Sequence, residues 1–494
     1  VKAVIHIGLL IHYFSTTTIN YSSHSNYQMK RINETISYIH RMNYRIVISF
    51  IIILFSSNIN LFAQNHLTKD ELLGGFLPER THWDLLHYDF TIEVNPKKKS
   101  IQGFNIISFQ LTAPLQRMQV DLEENMLIDS ILFNGNKLNY ERFHWSVFID
   151  LPQLEVHSPE KITVYYHGNP LVAKNAPWDG GYITQLDKNG KYHIGMAVQG
   201  DGSSIWLPTK DGQSDEPDYG VTANIIVPSD LVAVSNGRFI EKEQLDTARI
   251  KWTWKVTNPI NSYCITFNIG DYVEIKSKYK NLDLSYWVLR HNKDVATSHF
   301  RTTPEMLSIF KKYFGPYPFP EDGYKIVETS FAGMEHQSNI AYGNYYKNGY
   351  AGYGNEVARR FDFILIHESA HEWFGNSITS RDIADMWIHE AFTTYAEFLY
   401  VEEKWGYDAA LRYMEQGIQQ ISLQHPIIGT FGCNHKGDSD MYYKGAMMLQ
   451  TLRTHLQNDQ LFFATLKKFC LTFQKSIIDG TQVVDYFTKE LKMD

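Results

Sequence analysis

Between about residues 80 and 271, apolar positions recur at every second residue. Tyr88, Phe90, Ile92 and Val94 alternate with polar neighbours, and Ile162, Val164 and Tyr166 repeat the pattern. Successive side chains of a strand point to opposite faces, so a period of two predicts half-buried β-strands. Asn134-Gly135, Asn189-Gly190 and Asn236-Gly237 fall between such runs. Asn and Gly tolerate positive φ and mark turns there. Residues 75–271 therefore read as an all-β domain. After about residue 300 the period lengthens. Residues 304–314 read as a helix, which the Gly-Pro-Tyr-Pro-Phe-Pro run at 315–320 stops. A strand is expected over Tyr324–Glu328, then helical stretches over 355–374, 382–405, 408–423 and 442–456. The chain is thus predicted to be multidomain α+β, with a β domain followed by a mainly helical domain over 272–494.

The N-terminus follows neither pattern. An apolar run at 46–55 stands behind Arg41 and Arg45, and small and polar residues lead on to position 64. A basic segment, an apolar core and a small residue at the cut make up a secretory signal peptide. The run is too short for a comfortable membrane span of ~20 residues. Residues 42–63 are read as that signal, starting at Met42, and residues 1–41 as an extension outside the translated protein. The expected location is periplasmic or secreted, with anchorage by the uncleaved segment as the alternative and as the sole membrane contact.

Composition narrows the class. Hydrophobic residues make up 44% and charged residues 20%, which argues against long disorder. A formal net charge of -8 favours solubility and gives no reason to expect nucleic acid as a partner. The three cysteines, Cys264, Cys433 and Cys470, form no CxxC motif. Three buried thiols are expected, with a Cys433–Cys470 bridge as the alternative. The aromatic content of 14% is read as strand cores, with aromatic walls around substrate side chains as the alternative.

One cluster carries chemistry. His367-Glu368-Ser369-Ala370-His371 is an HExxH motif in a helical stretch. Residues four apart share a helix face, so both imidazoles reach one ion and Glu368 projects beside it. Such a motif arises by accident in roughly 1 chain in 20 of this histidine content, so the third ligand decides. Glu390 on the next helix supplies it. Two His and one Glu leave the fourth tetrahedral position open, the arrangement of a catalytic zinc and not of a structural one. One zinc per chain is expected. Zinc lowers the pKa of its water towards ~7, and Glu368 is placed to take that proton and pass it to the leaving amine. Glu397, two turns after Glu390, is either a partner for a ligand imidazole or a solvated surface carboxylate.

HExxH with a Glu at this spacing resembles the M1 family of gluzincins, which includes aminopeptidase N and leukotriene A4 hydrolase. Gly333-Met334-Glu335 is similar to that family's GxMEN motif, with His336 in place of the usual Asn. The resemblance implies that Glu335 binds a substrate α-amine, a charge-assisted contact suited to a buried carboxylate. Met441-Tyr442-Tyr443-Lys444-Gly445 is similar to the family's YxKG segment. By that register Tyr442 donates its hydroxyl to the oxyanion, with Tyr443 as the rival. Pro177-Trp178-Asp179-Gly180-Gly181 and the stretch from Gln199 to Pro208 resemble the family's saddle-shaped N-terminal domain, and Gln199 is implied to help hold the amine. Tyr313-Phe314-Gly315-Pro316-Tyr317-Pro318 resembles its entry into a thermolysin-like catalytic domain. The match runs from about residue 75 onward, and the family's C-terminal helical domain is expected to be largely absent from this chain.

Three functional readings follow. The first is an aminopeptidase that hydrolyses the N-terminal bond of peptides with a free N-terminus. The second is a thermolysin-type endopeptidase, which shares HExxH and a distant Glu but has no use for an amine-binding carboxylate at Glu335. The third is an inactive surface or binding protein, which predicts loss of one of His367, His371, Glu390, Glu368 or Tyr442. All five are present.

Overall fold

Strand alternation carries straight into burial. Tyr88, Phe90, Ile92 and Val94 all point into one core, and so do Ile162, Val164 and Tyr166. The computed structural model describes residues 67–200 and 202–493. Residues 42–63, read as a signal, and residues 1–41, read as an extension, lie outside the described residues. Among the described residues no helix is long and apolar enough to cross a membrane.

The β region is built on an eight-stranded sheet. Its order is Arg238–Gln244, Arg249–Val256, Val221–Pro228, Trp83–Asn95, Ser100–Leu111, Pro159–Gly168, Met126–Phe133 and Asn136–Lys137. Trp83–Asn95 and Ser100–Leu111 pair antiparallel over almost their whole length. A four-stranded sheet, Val232–Ser235, Phe267–Gly270, Tyr192–Ala197 and Gly181–Leu186, contributes Ile194, Ala233 and Phe267 to the same core. Asn134-Gly135 closes the Met126–Phe133 hairpin with both residues at positive φ. Asn236-Gly237 turns the chain from one sheet to the other rather than closing a hairpin. A Cβ on Gly237 would meet the Lys255 carbonyl oxygen at 2.1 Å. The Asn236 amide is buried and donates to Cys264 O at 2.8 Å and Gln337 O at 2.7 Å. Two short helices, α1 (Lys69–Gly74) and α2 (Pro78–Thr81), precede the first strand. α1 lies before the predicted start of this domain and α2 just inside it, and both belong to its packing. Arg80 of α2 pairs with Asp121 at 2.8 Å in the core.

The second region opens with a five-stranded sheet in the order Tyr272–Tyr279, Leu282–Leu289, Tyr324–Glu328, Ile340–Tyr342 and Gly333–Met334. The helices follow: α3 (Lys293–His299), α4 (Thr303–Phe314), α5 (Phe363–Ala370), α6 (Trp387–Trp405), α7 (Tyr407–Ile418), α8 (Tyr443–Leu456), α9 (Asp459–Thr472) and α10 (Gly480–Leu491). From Trp387 to Val401 every residue of α6 is buried, because α5, α7 and α8 surround it. A helix covered on all sides has no polar face to show, which is why its sequence lacks a clear stripe.

Three predicted helices are shorter than their patterns, one of them because residues 383–385 form a 3₁₀ turn and α6 begins only at Trp387. Residues 355–362 form a loop with one 3₁₀ turn, because Asp362 caps α5 by accepting from Leu365 N at 3.1 Å. The helix ends at Ala370, with His371 at its C-cap. Helix α7 stops at Ile418. Beyond it the Ser422 and Leu423 amides donate to the Asp440 carboxylate at 2.7 and 2.8 Å, and Leu423 takes a positive φ that ends helical geometry. All three cysteines are free thiols, Cys264 and Cys470 buried and Cys433 half-buried, so there is no Cys433–Cys470 bridge.

The two regions meet along a polar seam. Ser380 Oγ donates to Gln213 Oε1 at 2.7 Å, Thr379 Oγ1 to Glu216 Oε1 at 3.1 Å, and buried Lys325 Nζ to Gly237 O at 2.6 Å. The strand that carries Met334 runs up to this seam.

Candidate metal centre and active site

Helix α5 sets the first two donors. His367 and His371 are one turn apart, and their Nε2 atoms lie 3.2 Å from each other. Each imidazole is fixed by its other nitrogen. His371 Nδ1 donates to the Phe374 carbonyl at 2.8 Å, and His367 Nδ1 donates to Glu397 Oε1 at 2.5 Å. A carbonyl can only accept, so Nδ1 of His371 carries a proton, and in both rings Nε2 is the nitrogen that faces the cluster. Glu397 is therefore the imidazole partner and not a surface carboxylate. It is fully buried on α6, and its second oxygen accepts from the Tyr413 hydroxyl of α7.

Glu390 comes from the first turn of α6, where a helix N-terminus favours a carboxylate. Its Oε2 lies 3.5 Å from His367 Nε2 and 3.4 Å from His371 Nε2, with no hydrogen-bond partner of its own. Its Oε1 accepts from the Tyr442 hydroxyl at 2.9 Å. Burial opposes ionisation of Glu390, but His371 and His367 hold it well below the usual carboxylate range. Burial also disfavours the charged form of His371, yet Glu335 and Glu390 carry it up to about 9. Two imidazole nitrogens and one carboxylate oxygen thus converge within 4.8 Å, all buried. Glu335, Glu368, Glu390 and Glu397 crowd around two imidazoles, and no Lys or Arg lines the cavity among the described residues. This donor set and charge excess fit a divalent cation, and the nitrogen-rich ligands fit zinc.

The other predicted residues gather at the same place. Gln199, Gly333, Met334, Glu335, His367, Glu368, His371, Glu390 and Tyr442 all line one cavity of about 460 Å³. Gly333 is there for lack of a side chain. A Cβ would meet Glu368 Oε1 at 2.4 Å and Ile364 Cγ2 at 2.8 Å, so only glycine lets this strand lie against α5. Glu335 is almost fully buried, and its Oε1 has no hydrogen-bond partner. Burial raises its pKa, while His371 pulls the other way. Burial pushes Glu368 up to about 8 against the pull of His367 and His371. Such a carboxyl exchanges a proton near neutral pH.

The two tyrosines separate. Tyr442 sits at the N-cap of α8, its ring stacked on His367 with centroids 6.1 Å apart. Tyr443 turns toward α7, where a Cβ on Gly417 would strike its ring at 2.0 Å. Gly445 serves the same packing, since a Cβ there would meet Ala391 Cβ of α6 at 2.5 Å. His336 does not line the cavity. It is fully buried, neither ring nitrogen has a hydrogen-bond partner among the described residues, and burial lowers its pKa to about 3.

Several site residues carried no usable sequence signal. Asn376 donates to the Glu335 carbonyl at 2.8 Å and holds that strand against the loop after α5. Tyr413 and Asn376 lie far in sequence from the groups they support. Glu372 receives the Ser338 amide at 2.8 Å and the Tyr317 hydroxyl at 3.0 Å. Asp362 did carry a signal, an Asp just before an apolar helical run, but the helical pattern over 355–374 runs through it.

Comparison with known proteins gives the family and the fold. The family model described as Peptidase M1 N-terminal domain matches residues 85–264, and that of the Peptidase family M1 domain matches 298–494. Glutamyl aminopeptidase of Sus scrofa is 24% identical over 400 residues, covering 74% of this chain and 41% of that protein. Aminopeptidase N of Canis lupus familiaris is 25% identical over 286 residues, covering 52% of this chain and 29% of that protein. The chain thus spans less than half the length of these relatives. An M1 zinc metallopeptidase mutant of Deinococcus radiodurans, solved with a Tyr-Ser-Ala substrate, superposes with a TM-score of 0.70 at 21% identity. That match covers 83% of this chain and 91% of the other. With both domain models matched in order, across more than half of the chain, this protein belongs to peptidase family M1.

Proposed function

We propose that the protein is a zinc-dependent aminopeptidase that removes single residues from peptides with a free N-terminus. The observation that carries this reading is Glu335, a buried carboxylate beside the donor cluster with an unpaired oxygen facing no Lys or Arg. A peptide's α-amine, cationic or nearly so with a pKa of about 8, supplies the missing partner. Holding that amine puts the first peptide bond over the cluster and no other bond. Gln199 lines the same cavity and can accept from the amine through its amide oxygen.

His367, His371 and Glu390 would hold one zinc. Bound there, zinc supplies Lewis-acid chemistry, polarising the scissile carbonyl and making water nucleophilic at neutral pH. Glu368 takes the proton of the attacking water and delivers it to the leaving amine, a task for which its burial beside the three donors in the same cavity places it. Tyr442 redirects its hydroxyl from Glu390 to the oxygen on which negative charge develops. Burial excludes bulk water from these transfers and strengthens each contact. Gly333 and Met334 form the wall that the substrate backbone passes.

The test is kcat/KM on a free peptide and its N-acetyl form. Acetylation removes a charge and a donor and leaves Glu335 buried without a partner. The expected loss is on the order of 2–5 kcal/mol, or roughly 30- to 4,000-fold. Glu335→Ala should shrink that ratio. Equal rates, or internal cuts in the acetylated peptide, overturn the exopeptidase reading in favour of an endopeptidase. We also propose export, on the strength of the signal-like segment at 42–63. Mature protein that still carries these residues and stays with the cytosolic fraction would refute it.

A further inference from the structure

We propose that the loop at 344–354 is a specificity element that places the Tyr350 ring to receive the side chain of the substrate's second residue, selecting peptides with an apolar or aromatic residue there. The inference rests on the aminopeptidase reading and extends it to the leaving peptide.

The direction of the substrate follows from α5. Glu335, Glu368 and His371 form one close group, so the amine is held at the His371 end of the helix. His367 lies one turn back toward the N-terminus of α5, and Phe363 one turn further, its ring stacked on His367 with centroids 5.2 Å apart. One helical turn is about 5.4 Å, and an extended peptide advances about 3.3–3.6 Å per residue. A peptide whose first bond lies over the cluster therefore carries its second side chain past Glu368 toward Phe363 and Ile364. Tyr350 stands at that point. Its ring contacts Phe363 at 5.9 Å, it lines the cavity, and it is 40% exposed. It lines the same cavity as Glu368, and burial and then the Glu368 charge push its hydroxyl pKa up.

The loop is built to hold this ring. The two N–H groups of Asn344 Nδ2 are shared among Lys347 O at 2.7 Å, Gly349 O at 2.8 Å and Asp362 Oδ1 at 2.7 Å, and its Oδ1 accepts from Ala351 N at 2.6 Å. Gly349 N donates to Phe361 O at 2.6 Å, which ties the loop to the start of α5. Tyr350 and Tyr353 exchange backbone hydrogen bonds of 3.1 and 2.9 Å, making a tight turn. Gly349 is required inside it, since a Cβ would meet Tyr353 O at 2.2 Å. Asp362 caps α5 and also accepts from the Tyr342 hydroxyl at 2.6 Å. One carboxylate thus sets both the zinc-motif helix and the loop, so the wall is preorganised relative to the catalytic groups.

The experiment compares Ala-Phe-NH2 with Ala-Gly-NH2, by kcat/KM on zinc-loaded protein. Binding of their reduced-amide analogues, which no peptidase cleaves, is measured in parallel by calorimetry. The expected preference for Phe is on the order of tenfold in both readouts. Tyr350→Ser should bring the ratio toward one, and Tyr350→Phe should keep it because the ring remains. Equal binding of the two analogues, or a preference that survives Tyr350→Ser, overturns the proposal. Absence of turnover on both substrates would count against the aminopeptidase reading instead, while the calorimetric ratio still decides the role of Tyr350.

Discussion

The Arg80 and Lys210 networks of the β region and the donor cluster of the helical region both bury charges, but they balance them differently. In the β region each of two buried cations meets a carboxylate. Arg80 pairs with Asp121 at 2.8 Å, and Lys210 pairs with Asp215. Arg80 also donates to Leu72 O, and Gln119 and Ser146 complete the shell of Asp121. In the helical region four buried carboxylates face two imidazoles, and Glu335 and Glu390 keep an oxygen without a partner. Burial of charge is common to both, so it does not mark the site. The imbalance does. A paired network is closed and serves the fold, whereas an excess of acceptors is a demand for cations that the chain does not carry.

The largest way to break this comparison is to remove the charge that meets the excess. Exhaustive chelation should abolish peptide hydrolysis while far-UV circular dichroism retains the β signal, because a catalytic ion is not the fold's main staple. Full activity with no metal detected would end the zinc assignment. Glu368→Gln keeps His367, His371 and Glu390, so metal analysis should still give about one zinc per chain while kcat falls about 10²- to 10⁴-fold.

Next is the tyrosine pair. Tyr442→Phe should keep the metal and lower kcat by about 10²-fold, since Tyr442 alone reaches Glu390 and stacks on His367. Tyr443→Phe should lower kcat far less. The reverse outcome would shift the register by one residue. Glu397→Gln should weaken zinc affinity by roughly 10- to 100-fold, read by competition with a chelator, because His367 loses its anionic partner. Unchanged affinity would return Glu397 to a packing role.

The smallest effect on turnover is expected in the β region. Arg80→Leu strands Asp121 in the core and should cost about 3–5 kcal/mol of stability in urea unfolding. The specific activity of the protein that remains folded should be close to normal. If activity per folded molecule collapses as well, the two regions are not separable in the way their charge balance suggests.

What the residue order determined by itself was local. Alternation at Tyr88–Val94 and Ile162–Tyr166 fixed the strands and their buried face, because a strand's sidedness is set within a few residues. The HExxH spacing fixed two ligands, because one helical turn is a local geometry. The resemblance brought in Glu335, Tyr442 and Gln199, and the cavity contains all three. Helix length was less legible, since the Asp362 cap and the Asp440 carboxylate end patterns that apolar spacing would continue. Tertiary structure alone decided that Glu397 faces His367, that the Tyr442 hydroxyl meets Glu390, and that Tyr350 lies beside Phe363. Those contacts join α5, α6, α7, the turn before α8 and a loop of the catalytic domain. Their distances depend on how whole helices pack, down to glycines such as Gly333 and Gly445 that permit the close approach. Periodicity reports which face of an element is buried, but the partner it is buried against is set only when every element has found its place.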